Sequence, residues 1–465
     1  MRITGLILLI LGLSCFGCSS GDGFADAGAP QIRDGGATAV DTGLPIDTGT
    51  AIDAGPGDDA GPGDDAGPGG DGGTEEDSGT PADSGTPGAT FSEARIDDTI
   101  VHGQGVELVD LDGDTDLDVV VALSLTDAVH AYINPGDASG WTRVVIGQQI
   151  VAMEVDVADL DGDTDLDVVA VGLFDRAGGF TSAGEVTWFE NPGTVTGTWI
   201  RHEITGLTFW GARFVEAADL TGDGRADLVV GANQMSDVNG NPQGNGLYWF
   251  RNTGGAFASP QALDPALVNV YAVQLHDVDG DGVLDVMALG SDSNEVAWWA
   301  NGRTDGQVDD NPTFTKHVIS SPPAPFDLRL ADMDGDPALE AVVTMSRGSG
   351  AVVYYDPPAD VTAEWPEVVV SDSFGGGANS RLYAGDLDGD GKADVAVGAG
   401  AQTTIQIFFQ GEGGFTGQVV RDDYTGLDWL TGGDLDGDGR ADLVTATYGF
   451  ADGQDIVSWW KNSAP

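Results

Sequence analysis

From residue 91 onward, apolar residues come in short runs separated by turns rich in aspartate and glycine. One kind of run is continuous, as in Asp118-Val-Val-Val-Ala-Leu123. Its length and β-branched content predict a strand buried on both faces. A second kind carries adjacent aromatic or similar residues: Tyr132-Ile133, Trp188-Phe189, Trp249-Phe250, Trp298-Trp299, Tyr354-Tyr355, Phe408-Phe409 and Trp459-Trp460. Neighbours on a strand point to opposite faces, so these strands also need cover on both sides. A third kind follows in most units, for example Trp141-Thr-Arg-Val-Val-Ile146 and Phe314-Thr-Lys-His-Val-Ile319. A fourth leads into each turn and places a mostly polar residue at one register: Glu107, Asp156, Glu216, Gln274, Arg329, Tyr383 and Thr431. Four-stranded sheets stacked face to face around a channel meet all four demands. The sequence stops within five residues of Trp460, where the last unit still lacks its outer strand, and Phe91–Ile100 supplies one. The fold expected for residues 91–465 is therefore all-β, a seven-bladed β-propeller with four strands per blade, closed by an N-terminal strand that removes an open edge.

The turns carry the chemistry. The motif runs Asp110-Leu-Asp112-Gly-Asp114-Thr-Asp-Leu-Asp118, and six further copies follow. Their acidic positions are Asp159, Asp161, Asp163 and Asp167; Asp219, Asp223 and Asp227; Asp277, Asp279, Asp281 and Asp285; Asp332, Asp334, Asp336 and Glu340; Asp386, Asp388, Asp390 and Asp394; and Asp434, Asp436, Asp438 and Asp442. Carboxylates at loop positions 1, 3, 5 and 9 let a tight turn wrap oxygens around one hard cation, and Ca²⁺ prefers such ligands. Position 7 follows no side-chain rule, as a backbone carbonyl ligand allows. Position 4 is glycine in every copy, which points to a backbone that a Cβ would obstruct. Position 12 is apolar, as at Val121 and Ala170, so the loop joins strands and lacks the closing glutamate of an EF-hand. Without metal the clustered carboxylates repel, so metal binding and folding are expected to be coupled. Up to seven calcium sites are predicted. Thr221 replaces an acid at position 3 and weakens the third. Pro337 at position 6, where four copies have glycine, forces the fifth loop to turn differently.

These loops, with phrases such as Val230-Gly231-Ala232 and Val397-Gly398-Ala399-Gly400, resemble FG-GAP/VCBS repeats. The propellers of integrin α-subunits carry similar calcium hairpins. The resemblance implies the repeat class and its calcium loops, and no particular activity.

The rest of the chain is different in kind. After Met1-Arg2, Ile3–Leu13 is apolar but too short to span a bilayer comfortably, and it ends in Ser14-Cys15-Phe16-Gly17-Cys18. Residues 1–17 read as a secretory signal with a lipobox-like end, with Cys18 as the lipidation site and Cys15 as the alternative. Residues 18–90 are a low-complexity acidic linker, repeating Asp-Ala-Gly-Pro-Gly-Asp and poor in large apolar residues, so disorder is expected. The predicted location is the bacterial outer membrane or cell surface, with secretion or a periplasmic location as alternatives. No other cysteine exists, which excludes a disulfide framework. With 76 acidic and 18 basic residues the net charge is −58, which argues against nucleic acid and leaves the lipid anchor as the only membrane contact.

No catalytic motif stands out. His202 and His317 occupy equivalent outer-strand positions and read as packing residues. Residues near the channel mouth, Glu154, Asp327, Arg329, Arg381, Tyr383 and Trp429, form the candidate ligand site. The expected function is a monomeric, non-catalytic binding or adhesion module for a protein or glycan. A calcium-dependent polysaccharide lyase using Arg329, Arg381 or Tyr383, and a purely structural envelope protein, are the alternatives.

Overall fold

The computed structural model describes residues 89–173, 184–209, 211–233, 235–236, 242–346, 350–374, 380–399, 403–448 and 455–463. The signal sequence, Cys18 and the linker to residue 88 lie outside them.

Seven four-stranded antiparallel sheets make up the propeller. Blade 1 consists of β2 (Gly103–Val109), β3 (Asp118–Leu123), β4 (Ala128–Ile133) and β5 (Thr142–Gln148). Blade 2 has β6 (Ala152–Ala158), β7 (Asp167–Gly172), β8 (Gly184–Glu190) and β9 (Ile200–Phe209). Blade 3 has β10 (Ala212–Ala218), β11 (Asp227–Ala232), β14 (Gly246–Phe250) and β15 (Gln261–Asp264), with the short hairpin β12 (Met235–Ser236) and β13 (Pro242–Gln243) between its second and third strands. Blade 4 is β16 (Val270–His276), β17 (Asp285–Gly290), β18 (Glu295–Asn301) and β19 (Phe314–Ser320). Blade 5 is β20 (Pro325–Ala331), β21 (Glu340–Met345), β22 (Ala351–Tyr355) and β23 (Glu367–Ser371). Blade 6 is β24 (Ser380–Gly385), β25 (Asp394–Ala399), β26 (Thr404–Gly411) and β27 (Gly414–Arg421). Blade 7 takes β28 (Leu427–Gly433), β29 (Asp442–Thr447) and β30 (Val457–Asn462) from the end of the chain, and its outer strand β1 (Phe91–Asp97) from the start.

The first strands β2, β6, β10, β16, β20, β24 and β28 contact one another in a closed cycle and form the inner wall. Every second strand is buried along its whole length, as its unbroken apolar run requires. The paired aromatics divide between the two faces. Trp298 packs into the core between blades 4 and 5, whereas Trp299 packs on the opposite side of the same sheet. Trp188 and Phe189, Tyr354 and Tyr355, and Phe408 and Phe409 split in the same way. The pairs are thus the cement between blades. His202 stacks on Trp188 with ring centres 4.2 Å apart, and His317 lies 4.7 Å from Trp298, so both histidines extend this packing.

Ring closure depends on β1 pairing with β30, from Phe91 opposite Asn462 to Asp97 opposite Val457. Glu93 bonds Ser458 Oγ at 2.8 Å and Arg421 Nη1 at 2.7 Å, tying the strand to blades 7 and 6. Ala89 is buried in the same core as Trp460.

Candidate functional site: aspartate loops and a polar channel

Each loop is built by its first aspartate. Asp110 Oδ1 accepts the N–H of Gly113 at 2.8 Å, and Oδ2 accepts that of Thr115 at 2.9 Å. Asp159, Asp219 and Asp386 bind positions 4 and 6 in the same way. The turn needs positive φ at position 4, which runs from +70° at Gly437 to +89° at Gly162 and accounts for glycine in every copy. Position 6 is also left-handed, at the glycines and at Thr115 (+84°) and Thr164 (+81°), an unfavourable conformation for a β-branched residue. Pro337 has neither positive φ nor an N–H, so Asp332 keeps only its bond to Gly335, and the fifth loop does turn differently.

Position 9 has a second task. Asp118 is fully buried, with Oδ2 accepting the Leu111 N–H at 3.0 Å and Oδ1 the Asn134 N–H at 2.7 Å. Asp167, Asp227, Asp285, Asp394 and Asp442 repeat both bonds, using Asn191, Asn252, Asn301, Gln410 and Asn462. The side-chain amides of Asn134, Asn252, Asn301, Gln410 and Asn462 then reach a neighbouring loop, whereas that of Asn191 bonds Leu166 O of its own. Asn134 Nδ2 donates to Leu435 O at 2.7 Å, Asn252 to Leu160 O, Asn301 to Leu220 O, Gln410 Nε2 to Met333 O and Asn462 to Leu387 O. These amides clamp blade to blade, and the sequence reading missed them. Their signal was available: in five units an asparagine stands two residues after an aromatic (Tyr132, Phe189, Phe250, Trp299 and Trp460), and in the sixth Gln410 follows Phe409.

In the first, second, fourth, fifth and sixth loops, carboxylate oxygens from positions 1, 3 and 9 lie within 4.8 Å of one another. The triads are Asp110, Asp112 and Asp118; Asp159, Asp161 and Asp167; Asp277, Asp279 and Asp285; Asp332, Asp334 and Glu340; and Asp386, Asp388 and Asp394. Position 5 is not in these triads, and Asp114, Asp163, Asp281, Asp336 and Asp390 each turn one oxygen onto the N–H of position 7. Glu340 Oε1 is buried with no hydrogen-bond partner. Burial, with the neighbouring carboxylates adding to it, pushes Asp118, Asp167, Asp285, Asp394 and Glu340 up to about 7. Crowded acids with an orphan oxygen fit a hard divalent cation. In the third loop Thr221 supplies no charge, Arg225 Nη1 pairs with Asp223 at 2.8 Å, and the Arg303 guanidinium packs against Gly222.

The channel follows the predicted register. Glu107, Asp156, Glu216, Gln274, Arg329, Tyr383 and Thr431 all line one cavity of about 270 Å³, together with Glu154 and Trp429. Its charge is polarised, with four carboxylates on blades 1 to 3 and one guanidinium on blade 5. Burial and the charge of Asp156 push Glu107 up to about 8, and burial raises Asp156 to about 6. Glu154 and Glu216 are raised by burial as well. Asp327 and Arg381 do not line this cavity. They lie one step farther from the loops and plug the channel. Arg381 is 3 % exposed, 3.7 Å from Asp327 Oδ1, and 4.4 Å above the Trp429 ring, with Phe326 and Phe214 also against it. It donates to Asp428 O and Tyr271 O, bracing blade 6 against blades 7 and 4.

The profile of the FG-GAP-like repeat family matches residues 110–170, 277–343, 332–397 and 386–445. No curated protein matches the chain in sequence. Among solved structures, the BP39L lectin from Burkholderia pseudomallei is similar, with a TM-score of 0.51 and 17 % identity over 78 % of this chain and 99 % of that one. The BBS1N–ARL6DN complex (TM-score 0.47, 11 % identity, 81 % and 97 % covered) and the aldose sugar dehydrogenase of Streptomyces coelicolor in its PQQ-bound form (0.39, 9 %, 81 % and 100 %) are more distant in shape. At these identities the likeness concerns the fold alone. The chain is an FG-GAP-like repeat protein whose repeats close into a seven-bladed β-propeller.

Proposed function

We propose that the protein is a calcium-binding propeller, exported and tethered by a lipid on Cys18, that acts as a non-catalytic binding module for a protein or glycan. The observation that carries the calcium reading is the recurrence of carboxylate triads with oxygens within 4.8 Å, repeated at five loops or more around one face. A single triad would be a surface accident; repetition on a repeated backbone is a built feature. The same loops are joined by amide clamps, so metal there would stiffen the rim on which a partner rests. The polar cavity inside that rim gives a small group of the partner a place to enter. A fold does not assign a ligand, so the lectin likeness adds only that this architecture accommodates such a role.

The lyase reading loses ground at its own residues. Arg381 is buried in the plug, and burial raises the Tyr383 phenol, which weakens it as a base at neutral pH. A glycan array and a surface-protein pull-down, each with calcium and with chelator, test the proposal. Calcium-dependent capture of a defined ligand supports it. Turnover of an acidic polysaccharide that Tyr383→Phe abolishes would replace it with the lyase. Cys18→Ala is expected to release the folded protein from membranes, and continued partitioning would refute lipidation at that residue.

A further inference from the structure

The seventh loop differs from the others in a way the motif does not show. Lys461 on β30 sets its ammonium directly against Oδ2 of Asp436, the position-3 carboxylate, whose side chain is only 6 % exposed. The ammonium lies 5.7 Å from the centre of the Trp459 ring. Trp459 Nε1 itself donates to Asp442 Oδ2 at 2.9 Å. Two of the three carboxylates that form the metal triad elsewhere therefore each have one oxygen engaged by a side-chain donor from one strand, while Asp436 Oδ1 stays buried without a hydrogen-bond partner. Arg440 Nη1 stands 3.5 Å from Asp438 Oδ2 at position 5.

Among the described residues no other blade repeats this. The amide clamps fix the equivalence, because Asn462 holds the place of Asn134, Asn191, Asn252, Asn301 and Gln410. The residue before each is Ile133, Glu190, Arg251, Ala300 and Phe409. Arg251 is the one cation among these; position 3 of its own loop is Thr221, and it pairs with Asp310 at 2.7 Å. Glu190 adds negative charge beside Asp161. Lysine reaches a loop carboxylate from this position only in blade 7.

We propose that Lys461 is the resident cation of the seventh loop and takes the place that a divalent ion would hold in the others. An ammonium on the position-3 carboxylate occupies a ligand oxygen and repels an approaching dication. The placement has a structural consequence. β30 is the strand on which β1 closes the ring, with Ser92 opposite Lys461. A built-in charge offsets part of that loop's negative charge whether or not calcium is present, so closure depends less on metal there. The proposal rests on the calcium reading of the other loops.

The test uses the full chain. Bound calcium is counted by elemental analysis after dialysis at about 1 mM free Ca²⁺, within the range of extracellular modules. Lys461→Met is expected to bind one calcium more per chain than the parent, and Asp436→Asn in the parent background to bind the same number. A loss of one calcium in Asp436→Asn, or no gain in Lys461→Met, would overturn the proposal. Should Lys461→Met fail to fold, the Asp436→Asn count decides alone. A second readout needs no metal: in chelator, Lys461→Met should melt a few degrees lower than the parent, and calcium should restore it. An unchanged melting temperature in chelator counts against Lys461 as the counter-ion. If no protein binds calcium at all, the calcium reading fails, while the chelator measurement still decides the role of Lys461.

Discussion

Replacing Asn301 by alanine separates the clamp from the metal. Asn301 is 2 % exposed, and its amide donates to Leu220 O of blade 3 at 3.0 Å and to Leu284 O of its own loop at 3.1 Å. Its Oδ1 accepts the Arg303 N–H at 3.2 Å. Alanine leaves two carbonyls without these donors in a place water reaches poorly. At about 1 kcal/mol for each buried hydrogen bond, with some added cost for unsatisfied carbonyls, the loss comes to about 2–3 kcal/mol. In a propeller of this size that corresponds to a melting temperature lower by about 2–5 °C. The backbone N–H that caps Asp285 is retained, so the carboxylate triad of the fourth loop should survive. The same loss is therefore expected with calcium and with chelator, measured by differential scanning calorimetry in both. A loss confined to calcium would show that the amide acts through the metal site, and no loss would refute the clamp.

Three other outcomes follow from the geometry. Asp388→Ala combined with Asp390→Ala should lower stability in calcium and change little in chelator, and equal losses would count against metal at the sixth loop. Thr115→Gly relieves a β-branched residue at φ +84° and should stabilise the chain by about 0.5–1 kcal/mol after the entropy of glycine is set against the strain, so a destabilised variant would show that the threonine side chain makes a needed contact. Glu107 is held up to about 8 when folded, against 4.5 as its ordinary value, so the folded state binds its proton more tightly and stability falls as pH rises between those values. Glu107→Gln should flatten that fall in melting temperature, and an unaltered slope would place its origin elsewhere.

What the sequence made legible is what repeats with a fixed period. The polar register from Glu107 to Thr431 was readable because one residue per unit escaped the apolar pattern, and all seven of those residues do meet in one cavity. The aromatic pairs were readable because adjacent large residues on a strand leave no face for water. The aspartates announced a turn, yet their division of labour was hidden. Position 9 looks like one more ligand in the string of letters, whereas in space it belongs to the triad and also accepts two backbone N–H groups. Nothing in the spacing shows that one carboxylate serves the backbone as well as the cluster.

The mouth residues show a related limit. Asp327 and Arg381 have the composition of a binding site, and a sequence reading counts them as one. Whether a charge on an inner strand faces solvent depends on what stands opposite it across the channel, and those neighbours come from blades far away in sequence. Arg381 meets Phe214, Phe326 and Trp429 and becomes a plug, while Arg329, two residues past Asp327, meets carboxylates and lines the cavity. A repeat fixes the height of a side chain in the channel. Its partners at that height differ from blade to blade, and they decide whether it seals the ring or serves it.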